Sequence, residues 1–168
     1  ILSSAFGEDS IKIFNNINHI SLIGCGTSYH AGLVSKFWFE EYSNLTCEVN
    51  VASEFTLNKK IKNTLFIAIS QSGETADTLS AIRNIKKANL GNTLSITNRE
   101  SSSLQRLTDL SFHTKAGVEI GVASTKAFTT QLISLYALAI SIGKTKKLIN
   151  ISSEKKLVKT ILDIPKKI

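Results

Sequence analysis

The sequence predicts an α/β fold in which a mostly parallel sheet lies between helices in three layers. Three observations carry that expectation. Short apolar runs rich in Ile, Val, Leu and Phe recur along the chain, each too short for a helix and each bounded by Gly, Ser or Asn. Stretches with three- and four-residue apolar spacing alternate with those runs. Clusters of Gly, Ser and Thr follow the runs, at the carboxyl ends of strands where open parallel sheets hold their ligands.

The elements follow in order. After a leading helix, His19 to Gly24 (HISLIG) reads as the first buried strand and Thr46 to Ala52 (TCEVNVA) as the second. Thr64 to Ser70 (TLFIAIS) is the third, Asn92 to Thr97 (NTLSIT) the fourth, and Asp109 to His113 (DLSFH) a weaker fifth. Between the first two, Ala31, Val34, Trp38 and Tyr42 form a helical stripe with Phe37 beside them. Ala76, Leu79, Ile82 and Ile85 form another after the third strand. Ser124 to Ile142 is apolar on nearly every side beyond Leu132, which predicts a helix buried in the domain or against a partner. Leu157, Val158, Ile161 and Leu162 stripe a last helix that Pro165 should end.

With 168 residues and 42% hydrophobic content, the chain suits one domain, 1–168, able to bury roughly two-thirds of its unfolded surface. Cys25 and Cys47 belong to no CxxC or Cys/His pattern, so neither a disulfide scaffold nor a structural zinc is expected, and a reducing cytoplasm suits them. The longest apolar stretch, Leu132 to Ile142, is shorter than the ~20 residues that span a bilayer, and no signal peptide opens the chain. There is no methionine anywhere, which reads as a piece of a longer protein. Of the net charge of +7, a net of +6 lies from Lys144 onward, where eight lysines face Glu154 and Asp163. No aromatics interleave with those lysines, so they read as the solvated face of a terminal helix, with no nucleic-acid partner expected.

Chemistry concentrates where strands end. Gly24-Cys25-Gly26-Thr27-Ser28-Tyr29 allows a tight turn into a helix whose free amides can hold an anion. A dinucleotide fingerprint would need glycine where Tyr29 stands, and no Walker string exists. Ser70-Gln71-Ser72-Gly73-Glu74-Thr75 packs three hydroxyls, an amide and a glycine into six residues after the central strand. With the first-turn amides of the next helix, it makes a phosphate cradle without arginine. The alternative is that Ser72 or Thr75 merely caps the helix. At Asn98 to Ser103 the simple reading is preferred, with Ser102 and Gln105 as a capping box. After the fifth strand, Gly117 and Gly121 permit a compact turn, Ser124 and Thr125 start a third hydroxyl-bearing helix, Glu119 could serve as acid or base, and Lys126 could attract an anion. His19, His30 and His113 show no metal spacing and read as structural. Cys25 reads as a small residue lining its loop.

CGTS at 25–28, SQSGET at 70–75, ASEF at 52–55 and EIGVASTKAFTTQ at 119–131 resemble the sugar isomerase (SIS) domain. More narrowly, they resemble the first SIS domain of the isomerising glutamine–fructose-6-phosphate aminotransferases. The resemblance covers residues 18–143. It implies a flavodoxin-like SIS fold with a five-stranded parallel sheet. It implies that Ser70, Gln71, Ser72 and Thr75 hold the phosphate of fructose 6-phosphate or glucosamine 6-phosphate, that Ser28, Val122 and Ser124 line the sugar, and that Cys25 and Thr27 lie nearby. It implies a cytoplasmic homodimer that needs no metal or organic cofactor. In that family the glutaminase domain, the isomerisation base, the ring-opening histidine and the Schiff-base lysine lie outside the part that matches. The expectation is therefore a sugar-phosphate-binding piece with little activity alone, and no catalytic residue is assigned. Two alternatives are another SIS isomerase or deglycase and a SIS sensor module of a regulator.

Overall fold

The computed structural model describes residues 1–57, 62–121 and 124–167. Five strands form one sheet: β1 (His19–Gly24), β2 (Thr46–Val51), β3 (Thr64–Ser70), β4 (Gly91–Thr97) and β5 (Leu110–His113). Every pairing is parallel and the order is β2-β1-β3-β4-β5. Among the described residues six α-helices accompany it: α1 (Ser10–Asn16), α2 (Thr27–Ser43), α3 (Ala76–Lys87), α4 (Ser103–Leu107), α5 (Lys126–Thr145) and α6 (Ile151–Asp163). The three-layer α/β/α sandwich with a five-stranded parallel sheet is thus the observed fold.

Strand alternation builds a core on each face. Ile20, Leu22, Leu65, Ile67, Leu94 and Ile96 meet side chains of α1, α2 and α5 on one side. Ile23, Phe66 and Ala68 meet Leu79, Ile82 and Ile85 of α3 and Leu104 of α4 on the other. Residues one apart in a strand point to opposite faces, so strands buried on both faces read as unbroken apolar runs. α3 carries Asp77 in its first turn and Lys86 and Lys87 in its last, which suits the helix dipole.

Boundaries differ from the sequence reading by one or two residues. β5 starts at Leu110 because Asp109 is occupied otherwise. Its carboxylate accepts from the Thr93 N–H and hydroxyl, both at 2.8 Å, and pairs with Lys86 Nζ at 2.7 Å. α5 starts at Lys126, two residues after Ser124, for a reason given below. Pro165 sits at the start of the short 3-10 turn Ile164–Lys166 that follows α6.

The apolar helix α5 is buried within this fold, with Leu135, Leu138, Ala139 and Ile142 fully covered. It packs on α2 so closely at Gly143 that an added Cβ would lie 2.1 Å from the Tyr42 carbonyl oxygen. α6 has no buried residue, and Lys155, Lys156 and Lys159 on it are exposed. No helix among the described residues is long and apolar enough to cross a membrane.

Alanine normally improves a helix over glycine by about 1 kcal/mol. Gly143→Ala should do the reverse and lower unfolding stability by about 1–3 kcal/mol, because neither backbone can retreat. Denaturant titration of the two chains checks the sign.

Candidate functional site

The sheet order sets where the site forms. β1 and β3 are neighbours, yet α2 leaves β1 toward one face and α3 leaves β3 toward the other. In open parallel sheets such a reversal is where ligands bind beyond the carboxyl ends of the strands, and here the N-termini of α2 and α3 follow those two ends.

The loop between β3 and α3 is fixed by its own hydrogen bonds. The Gly73 N–H donates to Ser70 Oγ at 3.0 Å, and the Glu74 N–H donates to Ser72 Oγ at 3.2 Å. Ser70 Oγ and Thr75 Oγ1 lie 3.0 Å apart. Its flank is braced by the Asn98 N–H donating to Gln71 O and the Leu104 N–H donating to Gly73 O, both at 3.0 Å. Gly73 has φ +65°, and a Cβ there would fall 2.3 Å from Ser102 Oγ, so only glycine lets the loop lie against the start of α4. Ser70 is buried, while Gln71, Ser72 and Thr75 are half-buried.

The starts of α2, α3, α4 and α5 divide into two kinds, while α1 also lacks a side-chain cap and α6 is capped by Asn150. Thr75 occupies the N-cap position of α3, but its hydroxyl faces Ser70 and caps nothing. Gly26 is the N-cap of α2 and has no side chain to offer. The starts of α2 and α3 therefore have no side-chain cap, although at α2 the Ser28 and Tyr29 N–H groups donate to the Cys25 carbonyl at 3.1 and 3.4 Å.

The other two starts are filled by carboxylates. Ser102 caps α4, accepting from the Gln105 N–H at 3.4 Å, and Gln105 Oε1 accepts from the Ser101 N–H at 2.8 Å. Glu74 adds to that end, its Oε1 accepting from the Ser103 N–H at 2.7 Å. At α5, Glu119 Oε1 accepts from the Thr125 N–H at 2.9 Å, the Thr125 hydroxyl at 3.0 Å and the Lys126 N–H at 2.9 Å. The Ser103 N–H holds the Glu74 carboxyl below its usual range, and the Thr125 N–H does the same for Glu119. The third hydroxyl-bearing helix start is thus already occupied by an anion of the chain itself. Glu119 is a cap rather than a free acid or base, and Lys126 Nζ is bonded to the Val118 carbonyl. This cap also places the first turn of α5 after Thr125 and not at Ser124.

The residues expected from the sequence come together in part. Thr27 and Ser28 open α2, with Cys25 half-exposed before them, and the Ser28 N–H donates to the Cys25 carbonyl at 3.1 Å. Ser28 is buried and its Oγ accepts from Gln131 Nε2 at 3.1 Å. Ser124 is half-buried just before α5. Val122 lies outside the described residues. Cys47 is buried, and burial pushes its thiol up to about 12. His19 Nδ1 lies 2.7 Å from Thr46 Oγ1 and His113 Nε2 lies 2.7 Å from the Asn98 carbonyl, whereas His30 is exposed on α2. Among the described residues, no group of three or more His, Cys, Asp or Glu could hold a metal ion.

Two residues without an assigned role matter here. Asn98 organises the segment after β5: its Nδ2 donates to Gly117 O at 2.7 Å and its Oδ1 accepts from the Ala116 N–H at 2.7 Å. A cavity of about 600 Å³ lies beside it, lined in part by Gln71, Arg99, His113 and Lys115. Gln131 is the other. Its polar side chain directly before the apolar run from Leu132 was the available signal.

Residues 13–141 match the SIS domain family. A glutamine–fructose-6-phosphate aminotransferase [isomerizing] of Idiomarina loihiensis is 52% identical over 146 residues, covering 86% of this chain and 24% of that protein. The enzyme of the same name from Haemophilus influenzae is 44% identical over 170 residues, covering 100% of this chain and 28% of that protein. The chain therefore spans about a quarter of the length of these curated relatives. The solved C-terminal domain of glucosamine-fructose-6-phosphate aminotransferase from Francisella tularensis is similar at a TM-score of 0.88 and 44% identity, covering 94% of this chain and 46% of that one. A glucosamine-6-phosphate deaminase from Thermotoga maritima shares the fold, with a TM-score of 0.72 at 24% identity over 93% of this chain and 50% of that one.

The Glu119 cap predicts a pH signature. Its carboxyl is lowered in the folded chain by the Thr125 N–H, so its stabilisation is complete above the unfolded value of about 4.3 and disappears as pH falls through the lower folded value. Glu119→Gln should melt below the wild type at neutral pH. The gap should close on acidification below about pH 4, as followed by melting curves across that range.

Proposed function

The chain belongs to the SIS domain family, and from that premise we propose that it is the sugar-phosphate-binding domain of an isomerising glutamine–fructose-6-phosphate aminotransferase. In this reading residues 1–168 are one domain of a longer cytoplasmic, homodimeric enzyme. That enzyme takes ammonia from glutamine and converts fructose 6-phosphate to glucosamine 6-phosphate. The Idiomarina relative's 52% identity supports this member of the family over other sugar-phosphate isomerases.

One observation carries the reading: two uncapped helix N-termini flank a rigid hydroxyl loop where the winding of the sheet reverses. Ser72 Oγ accepts the Glu74 N–H, which leaves its own O–H to give. Ser70 and Thr75 together own two hydroxyl hydrogens and share one contact, so one hydrogen remains for a ligand. Ser70, Ser72 and Thr75, with the Gln71 amide and the first amides of α3, hold the phosphate. Ser28, Ser124 and Val122 take the sugar, with Cys25 and Thr27 at the rim. The first turn of α2 adds a second positive end to the phosphate's field. The binding step needs no metal and no organic cofactor, and the exposed α6 lysines are a solvated face with no nucleic-acid or membrane partner.

The isomerisation itself lies with other parts of the enzyme. Moving a proton between neighbouring sugar carbons needs a base whose pKa is near neutrality. Glu74 and Glu119 are held ionised by helix amides and kept in place as caps.

Ser72→Ala should weaken fructose 6-phosphate binding by about 1–2 kcal/mol, the usual scale for a hydrogen bond to a charged group. Calorimetry showing equal affinity would remove Ser72 from the site. The 168-residue chain mixed with glutamine and fructose 6-phosphate should form no glucosamine 6-phosphate above background. Robust turnover would overturn this division of labour.

A further inference from the structure

Gln131 is out of character for its place. It lies on α5 directly before the apolar run and is 1% exposed. Its Nε2 donates to Ser28 Oγ at 3.1 Å, a bond that joins α5 to the first turn of α2 across 103 residues of sequence. Its Oε1 is also buried and has no hydrogen-bond partner among the described residues. A buried amide oxygen left unpaired lowers stability, and an apolar side chain of similar volume would avoid that penalty. Stability therefore does not explain glutamine at this position.

The bond to Ser28 does. A serine hydroxyl carries two lone pairs and one hydrogen. With Gln131 Nε2 donating to one lone pair, the hydrogen of the Ser28 hydroxyl is left for another acceptor. No other hydrogen bond engages the Ser28 hydroxyl among the described residues. Ser28 is buried in the first turn of α2, two residues after its N-cap Gly26.

We propose that Gln131 is a positioning residue: it fixes Ser28 so that the serine O–H is presented to a hydroxyl of the bound sugar, and it thereby sets the preference for a polyol phosphate over bare phosphate. This rests on the sugar-phosphate reading above. It places the origin of sugar discrimination on α5, whereas the phosphate is held by the loop between β3 and α3.

The test is calorimetry of the 168-residue chain with two probes, fructose 6-phosphate and inorganic phosphate, beside melting curves. Gln131→Met keeps the volume and removes both polar atoms. It should weaken fructose 6-phosphate by about five- to tenfold, as expected for one lost hydrogen bond, with phosphate affinity unchanged and the melting temperature equal or higher. Gln131→Glu keeps an acceptor and loses the donor, so it should not restore sugar affinity. Ser28→Ala added to Gln131→Met should cause no further loss. The inference is overturned by unchanged fructose 6-phosphate affinity in Gln131→Met, by a loss shared equally between the two probes, or by failure of Gln131→Met to fold. A wild-type chain that binds phosphate but not fructose 6-phosphate, or neither, overturns the sugar-phosphate reading itself.

Discussion

The organising constraint is that amides at the start of a helix need acceptors, and this chain answers that need in two ways. α4 and α5 receive carboxylates of the chain itself, Glu74 and Glu119. α2 and α3 receive no side chain, and at α2 the Cys25 carbonyl accepts from the Ser28 and Tyr29 N–H groups instead. A side-chain cap stabilises a helix by about 1 kcal/mol, so forgoing one at the start of α3 lowers the stability of the protein by a comparable amount. The open pair is also the pair that meets at one point, because β1 and β3 are neighbours while their helices leave toward opposite faces.

An anion site is useful only if its donors are already in place, since ordering them at binding would consume affinity. Here the order comes from the strand behind the loop and the turn beside it. β3 is buried along its whole length, and Ser70 is its last residue. Gly73 lets the loop lie against Ser102, and the backbone bonds from Asn98 and Leu104 close it from the β4 side. On the opposite face, α5 supports the β1–α2 turn through Gln131 and Ser28. The two hydrophobic cores therefore do more than stabilise the sheet; they set the spacing between the two halves of the site.

Much of this was legible in the sequence, because the signals were local. Runs such as TLFIAIS and the hydroxyl cluster after it identify a buried strand and a polar turn from composition alone. The Ser102–Gln105 capping pair was legible for the same reason. What was not legible depended on contacts across loops. Nothing in the spacing of Glu119 and Thr125 says that the carboxylate folds back six residues to cap α5, so the start of that helix was placed at Ser124 and Glu119 stayed open as an acid or base. Asn98, whose side chain holds residues 114–117, looked like part of a capping segment. Gln131 was visible as a polar residue before an apolar run, but its partner is 103 positions away.

The two carboxylates also bear on where chemistry can occur. A general base for an aldose–ketose shift must exist unprotonated yet bind a proton readily, which calls for a carboxyl raised toward neutrality by burial or a like charge. Helix amides do the opposite. The N–H groups that hold Glu74 and Glu119 favour the charged form and lower their proton affinity. Protonating either would also remove the cap that fixes α4 or α5. The same helix amides therefore make Glu74 and Glu119 poor proton carriers. Binding an anion and carrying a proton ask opposite things of a carboxylate's surroundings, and Glu74 and Glu119 sit where only the charged form is favoured.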